Sequence, residues 1–190
     1  MKKVYLIHGW DGNPNNNWFP DTTKTLQDSG FLVNSVILPT PENPDPITWP
    51  QAMVEQIENP DEETYFVGHS IGCITILRYL QGLAINSKLG GIVLVAPYLD
   101  LTHLQTQEEK VLWNKWKNLP LNLETIKNKV NQVVCIFSDN DEDVDLEPNM
   151  TIFKEKLNAQ IIIEHNKGHF SDHDGVVDLP SVVEAILSFK

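Results

Sequence analysis

An apolar, β-prone run, Tyr65-Phe66-Val67, leads directly into Gly68-His69-Ser70-Ile71-Gly72. Behind it comes Cys73-Ile74-Thr75-Ile76-Leu77-Arg78-Tyr79-Leu80, apolar around most of a helix's circumference. Strand, G-x-S-x-G, helix is the context of a sharp turn that raises one serine hydroxyl above the end of a sheet. A Cβ two residues to either side of Ser70 would collide with crossing backbone, and Gly68 and Gly72 remove those atoms. The helix that opens at the turn aims free N–H groups and its positive dipole end at the serine. At ordinary Gly and Ser frequencies the bare pattern turns up in a chain of 190 residues with odds of roughly one in fifteen. The flanking strand and helix lower those odds further, which favours a nucleophile over a plain glycine-bracketed turn.

The remainder of the chain alternates between the same two elements. Runs at 3–7, 31–38, 91–95, 132–137 and 160–164 read as strands, the first buried because its β-prone residues run continuously instead of alternating. Helices are expected at about 18–29, with Gly30 as C-cap, and at about 48–57, with Thr48 as N-cap. Another should follow the acidic loop 138–147 and reach about Leu157, and a last one should run over 180–189, with Pro180 in its first turn. Six strands alternating with helices imply an α/β three-layer sandwich: a mainly parallel sheet covered on both faces, within a single domain spanning 1–190. The segment 98–129 is different in kind, polar and helical in period, with apolar marks at Leu112, Trp113, Trp116 and Leu119. It reads as a short cap-like excursion.

Composition excludes several classes of function. A net charge of −12 argues against nucleic acid or an anionic membrane surface, since both need clustered Lys and Arg. The run Val4 to Ile7 is too short for a signal peptide, and no apolar stretch approaches the ~18 residues of a membrane span, so a cytoplasmic location is expected. Cys73 and Cys135 lie in apolar runs and read as buried thiols. No cofactor is implied, because no G-x-G-x-x-G follows the first strand. No metal is implied either. Asp139-x-Asp141-x-Asp143 lacks the Gly and Glu of a calcium loop, having Val144 and Met150 there. Gly168 and the preceding strand keep His165, His169 and His173 off a shared helix face.

A serine hydroxyl becomes nucleophilic when a neutral imidazole takes its proton, and a carboxylate must orient that imidazole. His169, in the loop after the last strand, is the histidine placed to swing over Ser70, with His173 second. The carboxylate should come from the loop after the preceding strand, where position alone leaves Asp139 and Asp141 unresolved. The developing oxyanion needs two backbone N–H donors: Ile71, after the nucleophile, and Trp10, after His8-Gly9. His8, Trp10 and His69, with Trp113 and Trp116 from the excursion, are candidate walls of the substrate pocket.

Together, Val4-Tyr5-Leu6-Ile7-His8-Gly9-Trp10, Phe66-Val67-Gly68-His69-Ser70-Ile71-Gly72, Ser138-x-x-Asp141-x-x-Val144 and Gly168-His169-Phe170 resemble an α/β-hydrolase. More narrowly, they resemble the small serine hydrolases grouped with retinoblastoma-binding protein nine and the bacterial YdeN-like proteins, over nearly the whole chain. The resemblance implies a Ser-Asp-His triad of Ser70, Asp141 and His169, and hydrolysis of a small ester-type substrate through an acyl-enzyme. The family pattern places Pro directly after the acid, whereas this chain has Glu142, so Asp139 and Asp143 stay open as alternatives. Neither cysteine sits in an L-x-C-x-E context, so retinoblastoma-protein binding does not carry over. The rival reading is a hydrolase-like binding or interaction protein with vestigial activity.

Overall fold

Each strand but the last of the computed structural model, which describes residues 1–104 and 106–189, is followed by a helix or loop that returns the chain for another parallel strand. The strands are β1 (Lys3–Ile7), β2 (Leu32–Ser35), β3 (Thr64–His69), β4 (Gly91–Val95), β5 (Val133–Ser138) and β6 (Gln160–Glu164). They form one sheet in the order β2-β1-β3-β4-β5-β6, every neighbouring pair parallel. β3, β4 and β5 are buried along their whole length, as their unbroken apolar sequences require. The edge strands β2 and β6 are partly exposed.

Helices cover both faces. α1 (Phe19–Asp28) packs with α7 (Pro180–Ser188), which lies against β4 and β5. On the other face α3 (Ile71–Gly82) lies against β1 and β3, flanked by α2 (Thr48–Gln56) and α5 (Leu123–Lys127). α6 (Leu146–Leu157) packs beside α5 and against β5 and β6. The excursion 98–129 contributes α4 (Gln107–Lys117) and α5. A capping box between Thr106 and Glu109 starts α4. No helix among the described residues is long and apolar enough to cross a membrane.

Three local expectations had different outcomes. Gly30, at φ 89°, ends α1 as expected: its N–H reaches Gln27 O at 2.9 Å, and Phe31 N–H reaches Leu26 O at 3.1 Å. Thr48 does not cap α2. Asp45 does, its Oδ1 accepting from the N–H groups of Ile47 and Thr48 at 3.0 Å each. The strand expected over 31–38 is only Leu32–Ser35, because the Gln56 side chain takes both main-chain groups of Ile37, at 2.9 and 2.8 Å.

Carboxyl ends of parallel strands share one edge of the sheet. That edge therefore collects residues 8–10 after β1, Ser70 after β3, Tyr98 after β4, the acidic loop after β5 and His169 after β6.

Candidate active site

Ser70 occupies φ 54°, ψ −127°, a region that costs a non-glycine residue of order 1–3 kcal/mol. The surroundings hold it there. Ser70 N–H donates to Val95 O, at the end of β4, at 2.9 Å. A Cβ on Gly72 would lie 2.5 Å from His8 O and 2.6 Å from Ile7 O, so the end of β1 passes where only glycine fits. A Cβ on Gly68 would lie 2.7 Å from Ile76 Cδ1 and 3.0 Å from Cys73 N, within α3's own first turns. Both flanking glycines are thus required by close approach.

His169 Nε2 lies 2.9 Å from Ser70 Oγ, and His169 Nδ1 lies 2.9 and 3.1 Å from the two Asp141 oxygens. The Asp141 side chain is almost wholly buried, 3 % exposed, and its Oδ1 also accepts from Asp143 N–H at 2.9 Å and Val144 N–H at 3.1 Å. Asp143 Oδ2 is 3.9 Å from the same imidazole nitrogen on a largely solvated side chain. Asp139 faces away, accepting from His165 Nδ1 at 2.6 Å and Asn166 N–H at 2.9 Å. Of the three aspartates, Asp141 is the one bonded to His169. Partial burial pulls the His169 pKa down, but the hydrogen bond to Asp141 and the charges of Asp141, Asp143 and Asp174 outweigh it, and the net shift is upward.

Several supporting residues belong to no motif in the sequence. Asn140 Oδ1 accepts from Gly168 N–H at 2.9 Å, and Ser138 Oγ from Lys167 N–H at 3.1 Å, which ties the two loops together. Asp174 accepts from His169 N–H at 3.0 Å. The signal they offer is positional: Ser138 and Asn140 lie at and just past the end of β5, and Asp174 lies in the loop that follows β6.

His8 Nδ1 donates to Gly9 O at 2.8 Å, and Gly12 N–H reaches the same oxygen at 3.1 Å. In a planar trans peptide the N–H opposes the carbonyl, so these bonds turn Trp10 N–H the other way. Gly9 abuts Ser70, since a Cβ there would lie 3.1 Å from Ser70 Cβ. Ile71 opens α3, where an N–H has no intrahelical acceptor. Burial, only partly offset by the bond to Gly9, lowers the His8 pKa and keeps this ring neutral.

A cavity of ≈ 430 Å³ opens over Ser70 and is lined by His8, Trp10, His69, Tyr98 and Trp113, among others. Trp116 does not reach it. Its indole meets Trp49 edge-on at 6.2 Å and donates to Pro44 O at 3.2 Å, which anchors α4 to the connector before α2. His173 lines the cavity without replacing His169 at the serine. Asp141, Asp143 and His169 could converge on a cation, their ligand atoms lying within 4.8 Å of one another. The direct Asp141–His169 bond already uses two of those groups.

The sequence matches the serine hydrolase family over residues 4–188. This chain is a serine hydrolase. It is 29 % identical to the hydrolase YdeN of Bacillus subtilis (strain 168) over 189 residues, covering 99 % of this chain and 96 % of that protein. The crystal structure of the B. subtilis ydeN gene product superposes with a TM-score of 0.89 at 26 % identity, covering 99 % and 98 % of the two chains. Est1E from Butyrivibrio proteoclasticus, solved with ferulic acid, shares the fold at a TM-score of 0.71 and 16 % identity, over 98 % of this hydrolase and 86 % of Est1E.

Proposed function

We propose that this serine hydrolase cleaves small carboxylic esters through an acyl-enzyme on Ser70, with His169 as general base and acid and Asp141 as its orienting carboxylate. One observation carries the reading: an unbroken hydrogen-bonded chain from Ser70 Oγ through His169 to buried Asp141, at the floor of an open cavity. Ser70 Oγ attacks the ester carbonyl carbon as its proton passes to His169 Nε2. The Asp141 carboxylate accepts from Nδ1–H and holds that tautomer. The carbonyl oxygen takes up the charge between Trp10 N–H and Ile71 N–H, each donor contributing about 2.7–4 kcal/mol at the transition state. When the carbon–oxygen bond to the alcohol breaks, His169 returns its proton to the leaving oxygen. Water then repeats the sequence and frees the acid.

Esters are the chosen class because alcohols leave more readily than amines. Two fold relatives point the same way: Est1E was solved with ferulic acid, and a Nitrososphaera gargenis structure is described as a carboxylesterase. The modest cavity and the single short helix α4 beside it favour short acyl chains in water-soluble substrates. We place the enzyme in the cytoplasm, as one domain with 98–129 as a partial cover, acting on small molecules. The test is a series of acetyl, butyryl and palmitoyl esters beside matched amides, with Ser70→Ala as control. Short esters should turn over fastest, and Ser70→Ala should fall by about 10⁶-fold. A vestigial binding protein would show no Ser70-dependent turnover on any of them.

A further inference from the structure

Arg78 is the only arginine in a chain with 26 acidic residues, yet no ion pair among the described residues includes it. It lies partly buried on α3. Its Nη2 donates to Trp116 O at 2.5 Å and Leu119 O at 3.1 Å, at the C-terminal end of α4. Its guanidinium carbon is 5.8 Å from the centre of the Trp116 ring. Those bonds use two of the five N–H donors of a guanidinium. Nε is buried with no hydrogen-bond partner. Capping a helix does not by itself call for arginine. Lys129, almost wholly buried, does the same at the end of α3, donating to Leu80 O, Gln81 O and Leu83 O at 2.9, 3.1 and 2.6 Å. All three ammonium donors are used there. Arg78 differs: it has donors left over, in a planar fork that matches a carboxylate.

Arg78 also lines a second cavity, of ≈ 340 Å³, walled by Ile74, Leu99, Trp113, Leu121 and Leu123 among others. That volume falls within the roughly 300–1,000 Å³ of small-molecule sites. Lys117 is the other charged residue of its lining, and no Asp or Glu is among the described residues there. In a chain of net charge −12, this is an apolar-walled space of locally positive charge. Trp113 lines both this cavity and the one over Ser70.

We propose that this cavity is a second binding site, taking a small organic carboxylate with an apolar tail: the carboxylate on the Arg78 fork, the tail along Ile74, Leu99, Leu121 and Leu123. Charge selects the head group. A carboxylate gives acceptors to unused guanidinium donors, and such charge-assisted bonds are about twice as strong as neutral ones. A cationic ligand would meet Arg78 and Lys117, and a neutral alcohol would leave the fork half used. The apolar walls select the tail, since an inorganic anion would leave them in contact with water. The site is independent of the catalytic reading, because Ser70, Asp141 and His169 do not line it.

The experiment is calorimetric titration of sodium octanoate and of 1-octanol into the full-length wild type, Arg78→Met and Leu121→Trp, with folding of each checked by thermal midpoint. Wild type should bind one octanoate, about tenfold more tightly than octanol, the difference between a charged and a neutral hydrogen bond. Arg78→Met should bring octanoate down to the affinity of octanol. Leu121→Trp keeps Arg78 but fills the cavity, so it should bind neither, and it decides the matter alone if Arg78→Met does not fold. No octanoate binding in wild type, octanol bound as tightly as octanoate, or wild-type octanoate affinity in either folded variant would overturn the proposal. None of these results bears on Ser70, since ester turnover is not what is read.

Discussion

His69 Nε2 donates to the main-chain carbonyl of His169 at 2.8 Å, so the residue beside the serine holds the backbone of a residue 100 positions away. The bond joins the elbow to the loop that carries the imidazole. Burial, then the charge of His169, pushes the His69 pKa down to about 3, so its ring stays neutral. Its Nε2–H tautomer follows from the carbonyl partner.

Removing that donor should loosen His169 without emptying the site. His69→Phe is expected to lower kcat about tenfold with little change in KM, the cost of one lost hydrogen bond. His69→Gln, which keeps an N–H donor, should recover part of the loss. Equal losses in both variants, tracking a fall in thermal midpoint, would make the role one of packing alone.

Among the aspartates, only Asp141 is bonded to the imidazole. Asp141→Asn should lower kcat by about 10⁴-fold through the wrong tautomer. Asp139→Asn should leave turnover near wild type, since Asp139 bonds His165 instead. A more severe loss in Asp143→Asn than in Asp141→Asn would reassign the acid.

In the proposed mechanism neutral His169 takes the serine proton, and its net pKa shift is upward, so activity should rise with pH through a midpoint above 6.5. Asp143→Asn removes one of the charges that raise this pKa, so its profile should move to lower pH. Stability runs the other way. A histidine whose folded pKa exceeds its unfolded one contributes fully below the unfolded value and loses that contribution as pH rises through the folded one. Thermal midpoints across the activity window should therefore decline with pH in wild type, and less so in His169→Gln.

That Ser70 and His169 would meet was legible because their signals are local or ordinal: two glycines between strand and helix, and a histidine after the last strand. The order of apolar runs likewise exposed the parallel sheet. Asp141 and Asp139 could not be separated by position, because their difference lies in loop bonds: Asp141 turns inward on Asp143 N–H and Val144 N–H, while Asp139 meets His165 outside. Tyr98, beside Trp113 in the cavity lining, belongs to no sequence motif that would mark it. Asp45 was legible in principle, as a capping residue three positions before Thr48.

Trp113 and Trp116 share an apolar stripe on α4, but they serve different surfaces. Trp113 faces the cavity and Tyr98, while Trp116 is fixed by Trp49, Pro44 O and the Arg78 guanidinium, which donates to Trp116 O at 2.5 Å. Trp113→Ala should broaden the acyl-chain profile toward longer esters. Trp116→Ala should leave that profile intact and lower stability by about 3–5 kcal/mol, read by denaturant unfolding.

The most direct measurement is the site of acylation. The enzyme would be mixed with an activated acetyl ester, quenched in acid during turnover and digested for peptide mass mapping. One acetyl group on the peptide containing Ser70, absent in Ser70→Ala, is the expected result. An acetyl group on a different residue, or undiminished turnover in Ser70→Ala, would contradict a mechanism built on this serine.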